Sequence, residues 1–194
     1  MNLTTMDVFS KLMMDRILFI GQEIDDDLAS VITAQLLYLT SPKVLESLPP
    51  DSRKITMYIN SGGGSVYSGN AILDVMDFIK DQGIIIDTVN IGLAASMAAV
   101  ILSNGTKGHR RALKRARTMI HQPLITGMGH SQSTDVTITA RELEYIKKEL
   151  ASTLADNSGK ELDKVLADCE RDFWMSSVEA VDYGIIDSII KIEK

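Results

Sequence analysis

Cysteine is nearly missing from this chain: Cys169 is the only one in 194 residues. No intrachain disulfide can form, which fits a reducing, cytoplasmic setting. Its neighbours Asp168 and Glu170 disfavour a thiolate, so a structural role is expected for it. Basic charge is short as well. Twenty Lys and Arg against 26 Asp and Glu leave a net charge of -6, which argues against nucleic acid as the main partner, because phosphate binding wants a basic field. The one basic run (Lys107, Arg110, Arg111, Lys114, Arg115, Arg117) has no interleaved aromatics and reads as a solvated hairpin or a subunit contact. Long apolar runs are lacking. Residues 91–102 are too few and too rich in Ala and Gly to span a bilayer. Residues 1–16 have no basic stretch followed by an apolar core, so no secretory signal is expected. There is no internal repeat, low-complexity tract or linker. What remains is an ordinary globular composition, 45% hydrophobic and 24% charged, of a length that suits one domain.

Periodicity gives the class. Residues 16–20 and 55–59 read as buried strands. Asp25, Asp26 and Asp27 crowd a helix start where negative charge meets the dipole, and Leu28, Ile32, Leu36 and Leu39 follow at helical spacing. Residues 43–52, with Pro49-Pro50, read as a loop. A helix is expected over 68–80, and separate strand pieces at 84–86 and 89–91 flank Asp87. Further strands are expected around 107–112 and 117–120. The longest helix, 134–154, carries Ile138, Leu143, Ile146, Leu150 and Leu154 as its apolar stripe. Ser158 with Glu161, and Ser176 with Glu179, read as capping boxes opening two short helices. Gly184 ends the second, and 185–190 is a closing strand. Alternating strands and helices make the class α/β.

Within this frame one hydroxyl stands out. Ala94-Ala95-Ser96-Met97-Ala98 places Ser96 at a strand-to-helix turn, among residues too small to hide it. The adjacent helix N-terminus offers unpaired N–H groups and a positive dipole end, which suit a developing oxyanion. Serine is a poor nucleophile until a base takes its proton, and the base needs an orienting carboxylate. Of three histidines, His109 lies in the basic run and His130 in a polar glycine-containing stretch. His121 stands at a strand end before Pro123 and is the candidate base. Asp163, Asp168, Asp172, Asp182 and Asp187 are the candidate orienters. Asp172, between helices and beside Phe173-Trp174, is placed to be desolvated and aimed, a modest advantage over the others. Gly62-Gly63-Gly64 lacks the Gly-Lys-Ser/Thr ending of a phosphate loop. It suits a close-approaching backbone donor instead, with the Met97 N–H as the second.

Asn60-Ser61-Gly62-Gly63-Gly64, Ala94-Ala95-Ser96-Met97-Ala98, Met119-Ile120-His121-Gln122-Pro123-Leu124, Glu170-Arg171-Asp172 and the tail from Glu179 to Ile189 stand in the order of the motifs of the Clp protease family. The likeness runs from about Met6 to the C-terminus. This resemblance implies a fold shared with crotonases, repeated ββα units with a protruding handle helix. It implies one peptidase domain over 1–194, with a head at about 16–120 and 160–194 and a handle at about 124–158. It assigns Ser96 as nucleophile, His121 as general base and acid, Asp172 as orienter, Gly64 and Met97 as oxyanion donors and Arg171 as an inter-ring contact. It further implies a homo-oligomer of two stacked seven-membered rings, with apolar surface exposed on the free chain along the first helix and the handle. A Clp ATPase of the AAA+ class would spend ATP to feed in unfolded polypeptides, with no cofactor, metal, nucleic acid or membrane needed by this subunit.

Some positions depart from the family pattern. Gly62 replaces the usual proline, which gives the loop added freedom. Residues 81–86 lengthen the interval before Ser96. Lys114-Arg115 replaces Pro-Asn, and Ile125 and Thr126 stand where glycines are usual. The chain starts close to the first helix, so residues for axial gating loops are not expected. Tyr58 resembles part of an apolar docking patch. Two rival readings are an acyl-CoA hydratase or isomerase of the crotonase type, which leaves Ser96 and His121 unexplained, and an inactive scaffold subunit.

Overall fold

The computed structural model describes residues 7–124 and 132–191. Helix α1 (Val8–Met14) opens on Asp7, whose carboxylate accepts the Phe9 and Ser10 N–H groups. Strand β1 (Ile17–Ile20) leads to α2 (Asp26–Leu39). Asp25 caps that helix by accepting the Leu28 N–H at 2.8 Å, and Asp26 and Asp27 fill its first turn. The expected loop at 43–52 instead holds a short α3 (Pro42–Glu46) and a 3-10 turn at Pro50–Ser52. Proline at the first helical position is already set to the required φ, so it starts these turns rather than preventing them.

Strand β2 (Ile55–Ser61), α4 (Val66–Asp81), β3 (Ile86–Ala95) and α5 (Met97–Ser103) follow. Of the strand pieces expected around Asp87, 89–91 falls within one ten-residue strand that starts at Ile86 and runs through Asp87, while 84 and 85 precede it. Asp87 does not break it because its carboxylate, fully buried, is neutralised by Arg111, whose Nε lies at 2.9 Å, and by Lys54 at 3.5 Å. Next come β4 (Arg110–Ala112), β5 (Arg117–Ile120), α6 (Ser133–Ser158), α7 (Leu162–Asp168), β6 (Phe173–Ser176), α8 (Ser177–Tyr183) and β7 (Ser188–Ile189).

Three expectations at the C-terminal end change. Ser158 is the last residue of α6, which ends at Gly159 with φ 73°, so it forms no capping box with Glu161. A strand, β6, stands where a turn between helices was expected. The closing strand shrinks to Ser188–Ile189. The second capping box does form: Glu179 N–H donates to Ser176 Oγ at 3.3 Å, and Ser176 N–H donates to Glu179 Oε2 at 2.7 Å. Gly184 closes α8 with φ 98°.

The sheet runs β1-β2-β3-β4-β7, all parallel, and the class is α/β as expected. Strand β5 pairs parallel with the far end of β3, and β6 lies antiparallel on β5. Ile20, Ile55, Met57, Ile59 and Ile86 from the strands meet Ile32, Leu36, Ile72, Met76 and Ile79 from α2 and α4, all essentially excluded from solvent. Each such side chain contributes about 1.5–3 kcal/mol on burial, so the sheet that carries the site is rigidly seated.

The basic run is not a uniformly solvated hairpin. Arg110 is only 2% exposed and is bound to Asp187, while Arg111 is the counterion of Asp87. In α6 the residues from 133 to 145 bury nothing among the described residues. Burial begins at Ile146 and continues through Leu150, Ala151, Leu154 and Ala155. Ile138, counted in the apolar stripe, is exposed.

Candidate active site

Two ladders meet on β5, and their registers build the site. In the parallel ladder Ala95 pairs with Met119, and the next N–H, that of Ser96, donates to the Met119 carbonyl at 2.9 Å. In the antiparallel ladder Ile120 pairs with Phe173, so the next position sets His121 opposite Asp172. Directly opposed residues of such a ladder hold their Cβ atoms about 4.5–5.5 Å apart, within side-chain reach. Ser96 Oγ lies 2.8 Å from His121 Nε2, and His121 Nδ1 lies 3.3 Å from Asp172 Oδ1. The tautomer this series favours has Nδ1–H facing the carboxylate, leaving Nε2 to accept from the serine hydroxyl.

Ser96 sits at φ 55° and ψ -128°, one of two non-glycine residues with positive φ among the described residues. Such a conformation costs on the order of 1–3 kcal/mol. It turns the chain sharply from β3 into α5 and leaves the hydroxyl making no cap bond to its own helix. Ala94, Ala95, Ala98 and Ala99 are buried around it.

Asp172 departs from expectation in one respect. It precedes β6 at the edge of the sheet and is 61% exposed, rather than desolvated between helices. Of the other carboxylates, Asp168 is taken by Lys164 and by the Tyr183 hydroxyl at 2.9 Å, and Asp187 by Arg110. Asp163 and Asp182 are exposed.

The glycine loop packs against the serine. Gly63 has φ 97°, and a Cβ there would lie 2.6 Å from Ser96 Cβ and 3.1 Å from the Met97 nitrogen. At Gly64 a Cβ would lie 2.2 Å from the Ile24 carbonyl oxygen. The freedom expected from Gly62 is countered on both sides: Ile24 N–H donates to Gly63 O at 2.9 Å, Ser65 N–H to Ile24 O at 2.7 Å and Gly63 N–H to Ser61 Oγ at 3.1 Å. Among the described residues neither the Gly64 nor the Met97 N–H donates to a backbone carbonyl. Both residues line a cleft of about 540 Å³ together with Ser96 and His121.

Part of that cleft was not legible in the sequence. Lys147, Leu150, Ala151 and Leu154 of α6 also line it. Their spacing marks a buried helix face, and a cleft wall has the same pattern as a core. Gln122 carries no signal of its own in the sequence, because its contacts to Cys169 and Glu170 arise only in the fold. Arg171 is exposed on the turn beside Asp172. Tyr58 stacks on Phe19, with ring centroids 5.3 Å apart. His109 lies in the turn before β4, and His130, Ile125 and Thr126 lie outside the described residues. Cys169 is buried, and burial with the nearby Asp168 carboxylate pushes its thiol up to about 11. Both effects disfavour the thiolate, in the direction its neighbours suggested.

An α/β sheet that presents a strained serine, an imidazole and a carboxylate in series at one cleft has the design of a serine-type hydrolase. The sequence profile of the Clp protease family matches residues 2–193. The chain is 50% identical over 190 residues to an ATP-dependent Clp protease proteolytic subunit of Bacteroides fragilis, covering 98% of this chain and 86% of that one. Identity to the subunit of the same name from Porphyromonas gingivalis is 49% over 191 residues, covering 98% and 81%. Against the ATP-dependent Clp protease proteolytic subunit 1 of Prochlorococcus marinus it is 46% over 184 residues, covering 95% and 88%. The chain belongs to the Clp protease family, and it is a serine-type peptidase. The matched relatives carry peptidase names, and nothing favours the acyl-CoA alternative. Among the described residues no helix is long and apolar enough to cross a membrane.

Proposed function

We propose that Ser96 attacks the carbonyl of a peptide bond while His121 Nε2 takes its proton. The Gly64 and Met97 N–H groups hold the resulting oxyanion. His121 then protonates the departing amine, and water repeats the sequence to free the acyl group. Asp172 holds the imidazole in its productive tautomer. Every proton is carried by a side chain of this chain, and no metal or organic cofactor is proposed for the subunit. The observation that carries this reading is the 2.8 Å approach of Ser96 Oγ to His121 Nε2 beside two N–H groups without backbone acceptors.

The finer reading is a subunit of a closed barrel of two stacked seven-membered rings in a reducing cytoplasm. The first half of α6 would act as the handle between rings, Arg171 would pair across their interface, and a Clp ATPase of the AAA+ class would feed in unfolded polypeptides. Supporting it are the names of the relatives, ATP-dependent Clp protease proteolytic subunits, and the exposed Phe9 and Met14 on α1, Leu37 and Tyr38 on α2 and Ile138 and Tyr145 on α6. Apolar patches of this kind mark protein contacts.

The test is labelling by a fluorophosphonate combined with native mass measurement. The wild-type particle is expected to be labelled and multimeric. Ser96→Ala is expected to lose labelling and about a millionfold in peptide turnover. Labelling that survives this change would remove Ser96 from its role, and a stable monomer would remove the barrel.

A further inference from the structure

We propose that Gln122 is a positioning residue for the reaction: it clasps the turn that carries Asp172 and thereby sets the carboxylate against His121. The proposal rests on the roles given above to Ser96, His121 and Asp172. The problem it answers is physical. Asp172 stands ahead of β6 with most of its side chain in solvent, so the sheet ladder holds it from one side only. A carboxylate in water with a loosely held backbone would not stay aimed at one imidazole nitrogen.

Beyond the helix-end bonds of Cys169 and Glu170 to α7 and the His121–Asp172 pair, three contacts grip the turn from Cys169 to Asp172 among the described residues, and two of them come from Gln122. Its N–H donates to the Cys169 carbonyl at 2.6 Å, and its side-chain Nε2 donates to the Glu170 carbonyl at 3.0 Å. The third comes from α6, where Lys147 Nζ donates to Glu170 Oε2 at 3.3 Å. If the β5–β6 ladder simply continued, Gln122 would face Arg171. Its N–H reaches two residues further back instead, so the strand extension crosses the turn and closes it. Pro123 favours this, because the residue before a proline is biased to extended backbone. Gln122 is also bonded directly to His121. One residue therefore fixes both partners, His121 through the chain and Asp172 through two main-chain carbonyls. Its side chain touches no reacting atom, so it acts through Asp172.

The experiment compares assembled wild type, Gln122→Met, Gln122→Glu, Asp172→Asn and the Gln122→Met/Asp172→Asn double variant, with native mass recorded for each. Both Gln122 variants keep the length of the side chain and the backbone bond but have no side-chain N–H to donate at neutral pH. Phosphonylation of Ser96 by the fluorophosphonate, with loss of fluoride, and peptide kcat are expected to fall on the order of ten- to a hundredfold in each, while KM stays close to wild type. On the Asp172→Asn background the Gln122→Met change is expected to add less than about threefold, because residues acting as a unit are not additive. A structural role alone would reduce rates equally on both backgrounds, and that result would overturn the proposal. So would phosphonylation of either assembled Gln122 variant at the wild-type rate. Should Gln122→Met not assemble, Gln122→Glu decides alone, paired with Asp172→Asn in the same way. Labelling of Ser96→Ala as fast as wild type would instead refute the underlying reading of Ser96 as nucleophile.

Discussion

The carboxylate of Asp172 stands 3.3 Å from the imidazole of His121, yet it is 61% exposed. The pair is made by register, one position beyond Ile120 and Phe173 in an antiparallel ladder. Water competes for the carboxylate, so in the proposed mechanism Asp172 would orient the ring more than supply a strong buried charge.

Asp172→Asn is therefore expected to be less damaging than Ser96→Ala. Turnover should fall by about 10²–10⁴-fold, against about a millionfold for loss of the serine. Steady-state hydrolysis of a fluorogenic peptide measures both. Equal losses would show that the exposed carboxylate does more than orient.

The glycine loop gives a sharp contrast between neighbours. Gly63→Ala forces a Cβ to within 2.6 Å of Ser96 Cβ at φ 97°, and should remove most peptidase activity. Gly62→Ala meets nothing within 4 Å and should leave activity within about twofold of wild type. Parallel kinetics on the two purified variants check this.

Asp187 and Arg110 predict an acid-sensitive element of stability. Burial by itself raises the Asp187 carboxyl, but hydrogen bonds from the Arg110 side chain and N–H, the Arg110 charge and the Gly108 N–H outweigh it and hold it below its usual range. The contribution is thus full above the unfolded-state pKa, about 3.9, and is lost as pH falls through the lower folded value. Asp187→Asn should melt below wild type at pH 7, with the gap closing under about pH 4. Arg110→Met, which strands a carboxylate and also deprives the Ser103 and Asn157 carbonyls of a donor, should cost about 3–5 kcal/mol. Thermal unfolding followed by circular dichroism across pH reads both.

Cys169 should resist alkylation. With its thiol pushed up to about 11 by burial and by Asp168, almost none is thiolate at pH 7.5. Iodoacetamide should modify it only after denaturation, by mass spectrometry, and should leave fluorophosphonate labelling of the native protein intact.

The local chemistry was legible from residue types. Small residues around Ser96, a histidine at a strand end and glycines after a strand each carry their own signal. So do the Asp25 and Ser176 helix caps, because a cap depends on residues within one turn of each other. Asp87 misled because a charge inside an apolar run looks like a break; its neutralisers Lys54 and Arg111 are distant in sequence. Strand β6 was missed because a four-residue segment after a turn has too little periodicity to declare itself.

By itself, then, the sequence determined the α/β class, the strand-to-helix placement of Ser96 and, through ordered motifs, the family. Tertiary structure alone decided how Asp172, which the motifs had singled out, is set against His121, how exposed it is, which face of α6 lines the cleft and what Gln122 holds. Those depend on pairing register between strands separated by more than fifty residues. Register is set by the burial of whole faces at once, and no short window of sequence contains it.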